Sequence, residues 1–389
     1  MGEPRRERAA CQKTLTVMPG KIPQYCRGAC CILYFNDQKN SESFCTSFGR
    51  DARPMNVEGL LNSRSLILSP IHGGPVMLTI RRVLFPTDLS EGAKRAFPQA
   101  AFLADWHDAE LHILNVTGRH RHDYKETKDD FPLSIETLTD WLRRPSKSVS
   151  GSNWPDLTDL PIEQAQVESA APAERIVAYA EDQDIDLVVM GTHGRRGVDR
   201  MLFGSVTEEV VRQGPCPVLT VRTDADVEPS QAVRRVLVPV DFSEASDAAI
   251  QHAKEIAQTY GAEIDLLHVV EEPFYPPAYG PDVATFPTQD VVERVEAQLA
   301  ETAREEIGYE HVMISAKTGS PSNEILNYVD ENEVDLVVMA THGRTGLDHV
   351  LLGSVAERVL RQSPTPVFVV KPDRKSLVPA PKTAAAAQE

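Results

Sequence analysis

Two stretches of the chain carry the same order of apolar runs and helix-spaced apolar positions. In the first, "RRVLFP" is a short apolar run, and a helix follows from Ser90, an N-cap residue type. "AELHILNV" and "IEQAQV" read as the second and third strands. "PAERIVAYAEDQ" has helical spacing through Ile176 and Ala180, with a polar opposite face. "IDLVVM" is a continuous apolar run, as in a strand buried on both faces. "SVTEEVVRQ" then reads as a helix and "CPVLTV" as the last strand. Strands joined by helices require parallel pairing with right-handed crossovers. The pattern therefore predicts an α/β fold: a doubly wound parallel five-stranded sheet with helices on both faces. Ligands of such sheets bind beyond the carboxyl ends of the strands, where the strand order switches.

The second stretch is a copy of the first. Residues 186–222 and 335–371 align without a gap at an offset of 149, with 23 identities in 37 positions. "RRVLFPTDLSE" at 81–91 matches "RRVLVPVDFSE" at 234–244, at an offset of 153. A duplication predicts two tandem domains, 78–223 and 233–372, joined by an acidic linker at 224–232. The tail 373–389 is low in complexity and expected to be disordered. Residues 1–76 lack either periodicity. They read as a disordered extension, or as upstream sequence translated from a wrongly chosen start ahead of Met77.

Charge narrows the partners. The chain of 389 residues carries a formal net charge of −17, which argues against a nucleic-acid partner, since that needs a basic face. Five of the six cysteines (Cys11, Cys26, Cys30, Cys31 and Cys45) lie in the first segment. No CxxC pair and only one histidine accompany them, so no metal site is expected. No run of about 18 apolar residues predicts a membrane span. The lone Cys216 of the repeated body fits a reducing, cytoplasmic setting.

The candidate chemistry lies in "GTHGRRGVDRMLFGSVTEEVV" at 191–211, nearly repeated as "ATHGRTGLDHVLLGSVAERVL" at 340–360. Gly191 follows the buried strand, Gly194 comes three residues later, and Gly204–Ser205 opens a helix. Glycine allows close backbone approach, and the first amides of a helix have no intrahelical partner. Together they make an anion site. The bland alternative is a capping box, Ser205 with Glu208 and Ser354 with Glu357, which would satisfy the same helix ends without a ligand. His193 and His342 are lone loop histidines with no acid or nucleophile at an informative spacing, so no catalytic residue is assigned. Arg195, Arg196 and Arg344 are either phosphate partners or solvated loop residues.

On these residues the sequence resembles the universal stress protein family, whose nucleotide-binding branch carries G-x2-G-x9-G-[ST]. The resemblance spans 78–372 as two domains. Gly191, Gly194, Gly204 and Ser205 match the motif. Gly343, Gly353 and Ser354 match in the second copy, where Ala340 replaces the first glycine. The resemblance implies ATP as ligand, with or without magnesium. It implies further contacts from Pro86, Thr87 and Asp88 and from Pro239, Val240 and Asp241 after the first strands. Val116 and Val269 would lie near the adenine and Met190 and Met339 beside the glycine loop, and Val206 and Val355 would offer amides to the phosphates. It also implies that the two domains pair through their last strands, leaving a further homodimer open, and that the protein is a stress sensor or regulator acting on unidentified partners. The competing readings are a nucleotide-free interaction scaffold and a nucleotide-dependent transferase. No catalytic constellation or substrate-binding insertion supports the latter, so the chain is read as a non-enzyme.

Overall fold

The computed structural model describes residues 24–25, 32–33, 78–118, 131–142, 154–192, 204–222, 232–271, 289–308, 311–341 and 352–378. The chain divides into two units, Met1–His72 and Gly73–Glu389. In the first, β1 (Gln24–Tyr25) and β2 (Ile32–Leu33) pair antiparallel. The five clustered cysteines lie outside the described residues.

In the second unit each half runs through the predicted order. The first half contains β3 (Arg82–Thr87), α1 (Glu91–Trp106), β4 (Glu110–Thr117), α2 (Ile135–Leu142), β5 (Ile162–Glu168), α3 (Pro172–Asp182), β6 (Leu187–Gly191), α4 (Ser205–Gln213) and β7 (Val218–Val221). The second contains β8 (Arg235–Pro239), α5 (Glu244–Tyr260), β9 (Glu263–Glu271), α6 (Gln289–Thr302), β10 (Val312–Gly319), α7 (Pro321–Glu331), β11 (Leu336–Ala340), α8 (Ser354–Gln362) and β12 (Val367–Val370). A π-helical turn, Ala303–Ile307, extends α6.

The two five-stranded halves join edge to edge through their last strands, as the resemblance implied. The ten strands form a single sheet in the order β10-β9-β8-β11-β12-β7-β6-β3-β4-β5. All its pairs are parallel except the seam. There β12 and β7 run antiparallel, with Phe368 opposite Leu219 and Val367 opposite Thr220. The Thr220 hydroxyl adds a bond to the Val367 carbonyl at 3.3 Å. Pairing two otherwise exposed strand edges satisfies their amides and carbonyls, which a free edge leaves open.

Burial follows position in this sheet. The run Leu187–Met190 is buried throughout, as expected of a strand covered on both faces. The outermost strands β5 and β10 are mixed in polarity and mostly half-exposed. One apolar cluster, which includes Phe85, Phe97 and Ile250, packs beneath α1, α2 and α5. The other, with Ile176, Val210, Ile325 and Val359, packs beneath α3, α4, α7 and α8. Among the described residues no helix is long and apolar enough to cross a membrane.

The tail departs from expectation. Instead of leaving the fold at residue 373, the chain packs back on the first half and on α5 through Val378, and Leu377 is only 2 % exposed. The linker residues 224–231 and the last residues, 379–389, lie outside the described set.

Candidate functional site

Within each half the central strand is the first one. β3 has β4 and β5 on one side and β6 and β7 on the other, so the order switches between β3 and β6. The equivalent place in the second half lies between β8 and β11. The carboxyl ends of these strands carry the predicted site residues.

Pro86 and Thr87 close β3, opposite Leu114 and Asn115 of β4. Thr87 is 5 % exposed. Its carbonyl accepts the Asn115 side-chain amide at 2.8 Å, and its hydroxyl accepts the Leu89 amide at 3.0 Å. Gln166 of β5 in turn donates to Asn115 Oδ1 at 3.1 Å. Asp88 accepts the Ser90 amide at 3.0 Å, and Ser90 caps α1 by accepting the Ala93 amide at 3.2 Å.

The second half repeats the layout with other side chains. His268 replaces Asn115 and donates from Nδ1 to the Val240 carbonyl at 2.7 Å, with its ring 4.8 Å from Phe242. Pro239 pairs with Leu267. Asp241 Oδ1 accepts the Ser243 amide at 3.1 Å and the Ser243 hydroxyl at 2.6 Å, and takes a further bond from the Ser246 hydroxyl. Burial, then the charges of Glu306, Glu244 and Asp241, hold the Asp247 carboxyl above its usual range, so this corner is acidic.

Both turns share a strained residue. Leu89 has φ 64° and Phe242 has φ 59°, left-handed conformations that bulky side chains rarely adopt. Such strain, of order 1–3 kcal/mol, gathers at ligand sites. Its recurrence at both strand ends marks the turn as a shaped feature.

Val116 and Val269 are partly buried near the ends of β4 and β9. Met190 and Met339 are buried, at 6 % and 5 % exposed. Beyond them the loop ends converge. The Gly204 amide donates to the Thr192 carbonyl at 2.8 Å, and the Gly353 amide to the Thr341 carbonyl at 2.9 Å. A Cβ on Gly204 would lie 3.1 Å from the Thr192 carbonyl oxygen, so this glycine permits the close approach. Thr207 donates its hydroxyl to the Gly191 carbonyl at 2.9 Å. At the equivalent places stand Ala356 and Ala340, which lack that bond. Gly194, Gly343, His193, His342, Arg195, Arg196 and Arg344 lie outside the described residues.

The capping boxes are not formed. Gly204 and Gly353 are the N-caps, neither helix start has a side-chain cap bond, and Ser205 and Ser354 are already helical and exposed. Glu208 and Glu357 donate their own amides to the glycine carbonyls at 2.9 and 2.8 Å. The Glu357 carboxylate pairs instead with Arg361 at 2.6 Å, one helical turn on. The box fails because the glycine holds the non-helical φ of −62° and ψ of 125°, one residue before the serine. The amides of Ser205 and Val206, and of Ser354 and Val355, therefore open their helices without a carboxylate competing for them.

The profile of the Universal stress protein family matches residues 79–222 and again 232–371, and the chain belongs to that family. It is 36 % identical over 149 residues to the universal stress protein MJ0531 of Methanocaldococcus jannaschii, covering 36 % of this chain and 84 % of that one. Its fold is similar to the functionally unknown protein PA1789 of Pseudomonas aeruginosa, with a TM-score of 0.54 and 20 % identity over 76 % of this chain and 93 % of that one. One half is also similar to a universal stress protein solved in complex with cAMP, with a TM-score of 0.29 and 23 % identity over 36 % of this chain and 98 % of that one.

Proposed function

We propose that each half binds an adenine nucleotide, ATP, at the carboxyl edge between its central strand and the strand before the glycine loop. Occupancy would tune contacts of the protein with partners during cytoplasmic stress responses. The supporting observation is the uncapped row of amides opening α4 and α8, set against the loop ends at Thr192 and Thr341. An amide row of this kind carries partial positive charge and favours a phosphate even in an acidic protein. Among the described residues no group of three acidic, histidine or cysteine side chains could hold a metal, so magnesium would enter with the triphosphate. We assign a binding role rather than a catalytic one.

A second reading is a nucleotide-free scaffold. It is favoured by Gly204, whose lack of a side chain is already explained by its contact with the Thr192 carbonyl. Releasing bound small molecules from the purified protein by heat, followed by chromatography, separates the two. Recovered adenine nucleotide supports the first reading. An empty protein that gives no response to added ATP or cAMP supports the scaffold.

A further inference from the structure

Lys375–Leu377 occupies a defined seat formed by the first half and by α5 of the second. The Lys375 amide donates to the Pro215 carbonyl at 3.0 Å, and its ammonium lies 2.7 Å from Asp184 Oδ1 and 2.8 Å from Asp186 Oδ1. The Leu377 amide donates to His252 Nε2 at 3.3 Å, and its carbonyl accepts the Thr79 amide at 3.2 Å. Its side chain joins the apolar cluster under α1 and α5. The seat thus consists of two carboxylates, a polar residue on a helix and an apolar hollow.

The duplication gives each part of this seat a counterpart across the seam. At the offset of 149, Asp184 and Asp186 correspond to Glu333 and Asp335. At the offset of 153, His252 corresponds to Gln99 and Thr79 to Ala232. The turn geometry is kept, with φ 48° at Asp184 and 50° at Glu333. On this second side the counterparts Gln99, Asp335 and Ala232, with Phe102, Tyr260 and Phe368, help line a cavity of about 50 Å³.

The polar groups there are underused. Gln99 is 7 % exposed, and its amide makes no hydrogen bond among the described residues. Asp335 gives Oδ2 to the amides of Arg234 and Arg235, at 2.8 and 3.1 Å. Neither its Oδ1 nor Glu333 is paired among the described residues. Most of the remaining lining is apolar, including Phe102, Leu187 and Phe368. The volume is well below the roughly 150 Å³ that holds benzene, so it suits an aliphatic side chain better than a ring. The chain's own linker has the wrong chemistry. At the offset of 149, Lys375, Ser376 and Leu377 correspond to Asp226, Val227 and Glu228, with carboxylates in place of the ammonium and the leucine.

We propose that this cavity is a second peptide seat, which takes an extended segment of a partner protein bearing a lysine two residues before a leucine. The ammonium lies at Glu333 and Asp335, the leucine fills the hollow, and Gln99 bonds the peptide backbone. The protein's net charge of −17 favours such a cationic segment.

The test uses the full chain and a fluorescent peptide copying residues 371–380, with a photo-activatable leucine at position 377. Expected are saturable one-to-one binding and crosslinks to Gln99–Leu103 of α1. The peptide substitutions Lys375→Glu or Leu377→Asp should each weaken binding at least tenfold. In the protein, Ala232→Trp and Glu333→Lys alter exposed positions, so they should abolish or weaken binding while leaving the unfolding midpoint unchanged. The proposal is overturned by no binding at millimolar peptide, or by binding insensitive to both protein variants. Crosslinks confined to α5 around His252 would also overturn it, because the peptide would then only be displacing the native tail.

Discussion

Lys375, five residues past the last strand, places its ammonium 2.8 Å from Asp186 Oδ1, at the start of the first half's central sheet region. Burial works against the charge, but the bonds and charges of Asp184 and Asp186 outweigh it and hold the ammonium above its usual range. A raised lysine value means that its contribution is complete at neutral pH and fades in strong alkali, while the lowered Asp184 carboxyl loses its share in acid. Removing residues 373–389 deletes this pair and the buried Leu377, and should cost about 3–5 kcal/mol. Lys375→Met alone should cost only about 1 kcal/mol, since the pair is partly exposed. Urea unfolding measures both, and an unchanged midpoint in the truncated chain would show that the tail is not part of the fold.

Acid should loosen the interface between α1 and α5. His107 Nε2 lies 3.1 Å from the Tyr260 hydroxyl, and burial, opposed by Asp108, lowers the imidazole to about 4. The unfolded chain binds this proton below about pH 6.5, and the folded chain only near 4. Stability from this group is therefore full above pH 6.5 and declines as pH falls towards 4, by about 2–3 kcal/mol. In His107→Gln that part of the slope should vanish. A variant with the parent's stability–pH profile would refute the assignment.

Cys216 should be inert in the folded protein. It is fully buried, and burial pushes its thiol up to about 12. Peptide mapping after iodoacetamide treatment at pH 8 should find Cys216 modified only when denaturant is present. Labelling in native buffer would mean that β7 opens far more often than its packing implies.

The glycine loop of the first half depends on Thr207. Thr207→Val keeps the shape but leaves the Gly191 carbonyl without its 2.9 Å partner. A loss of about 1–2 kcal/mol in stability is expected. Nucleotide affinity should fall several-fold at the first site and stay unchanged at the second, where Ala356 already stands. Calorimetric titration resolves the two sites, and an equal loss at both would contradict the local role.

Most of the repeated body was legible because each strand is a compact apolar run. "RRVLFP" at 81–86 becomes β3 at 82–87, a shift of one residue. The helix α2 was missed, since it lies in the middle of the repeat where the copies do not align. Its Trp141 is nevertheless core, 5.6 Å from Phe97. The capping boxes were misplaced by one residue, because a glycine N-cap leaves no side-chain signature. The tail was misread for a different reason. Its composition is that of a loop, and Lys375 finds its carboxylate partner Asp184 191 residues away, beyond the reach of any local pattern.

The account rests on the amides that open α4 and α8, and titration of ATP into three proteins tests it most directly. Ser205→Asp and Ser354→Asp place a carboxylate at exposed first-turn positions, which a helix N-terminus tolerates. The parent should bind two nucleotides per chain, Ser205→Asp one, and the double variant none, all with unfolding midpoints at or above the parent's. A parent that binds no ATP, or a folded double variant that still binds two with parental affinity, would contradict it.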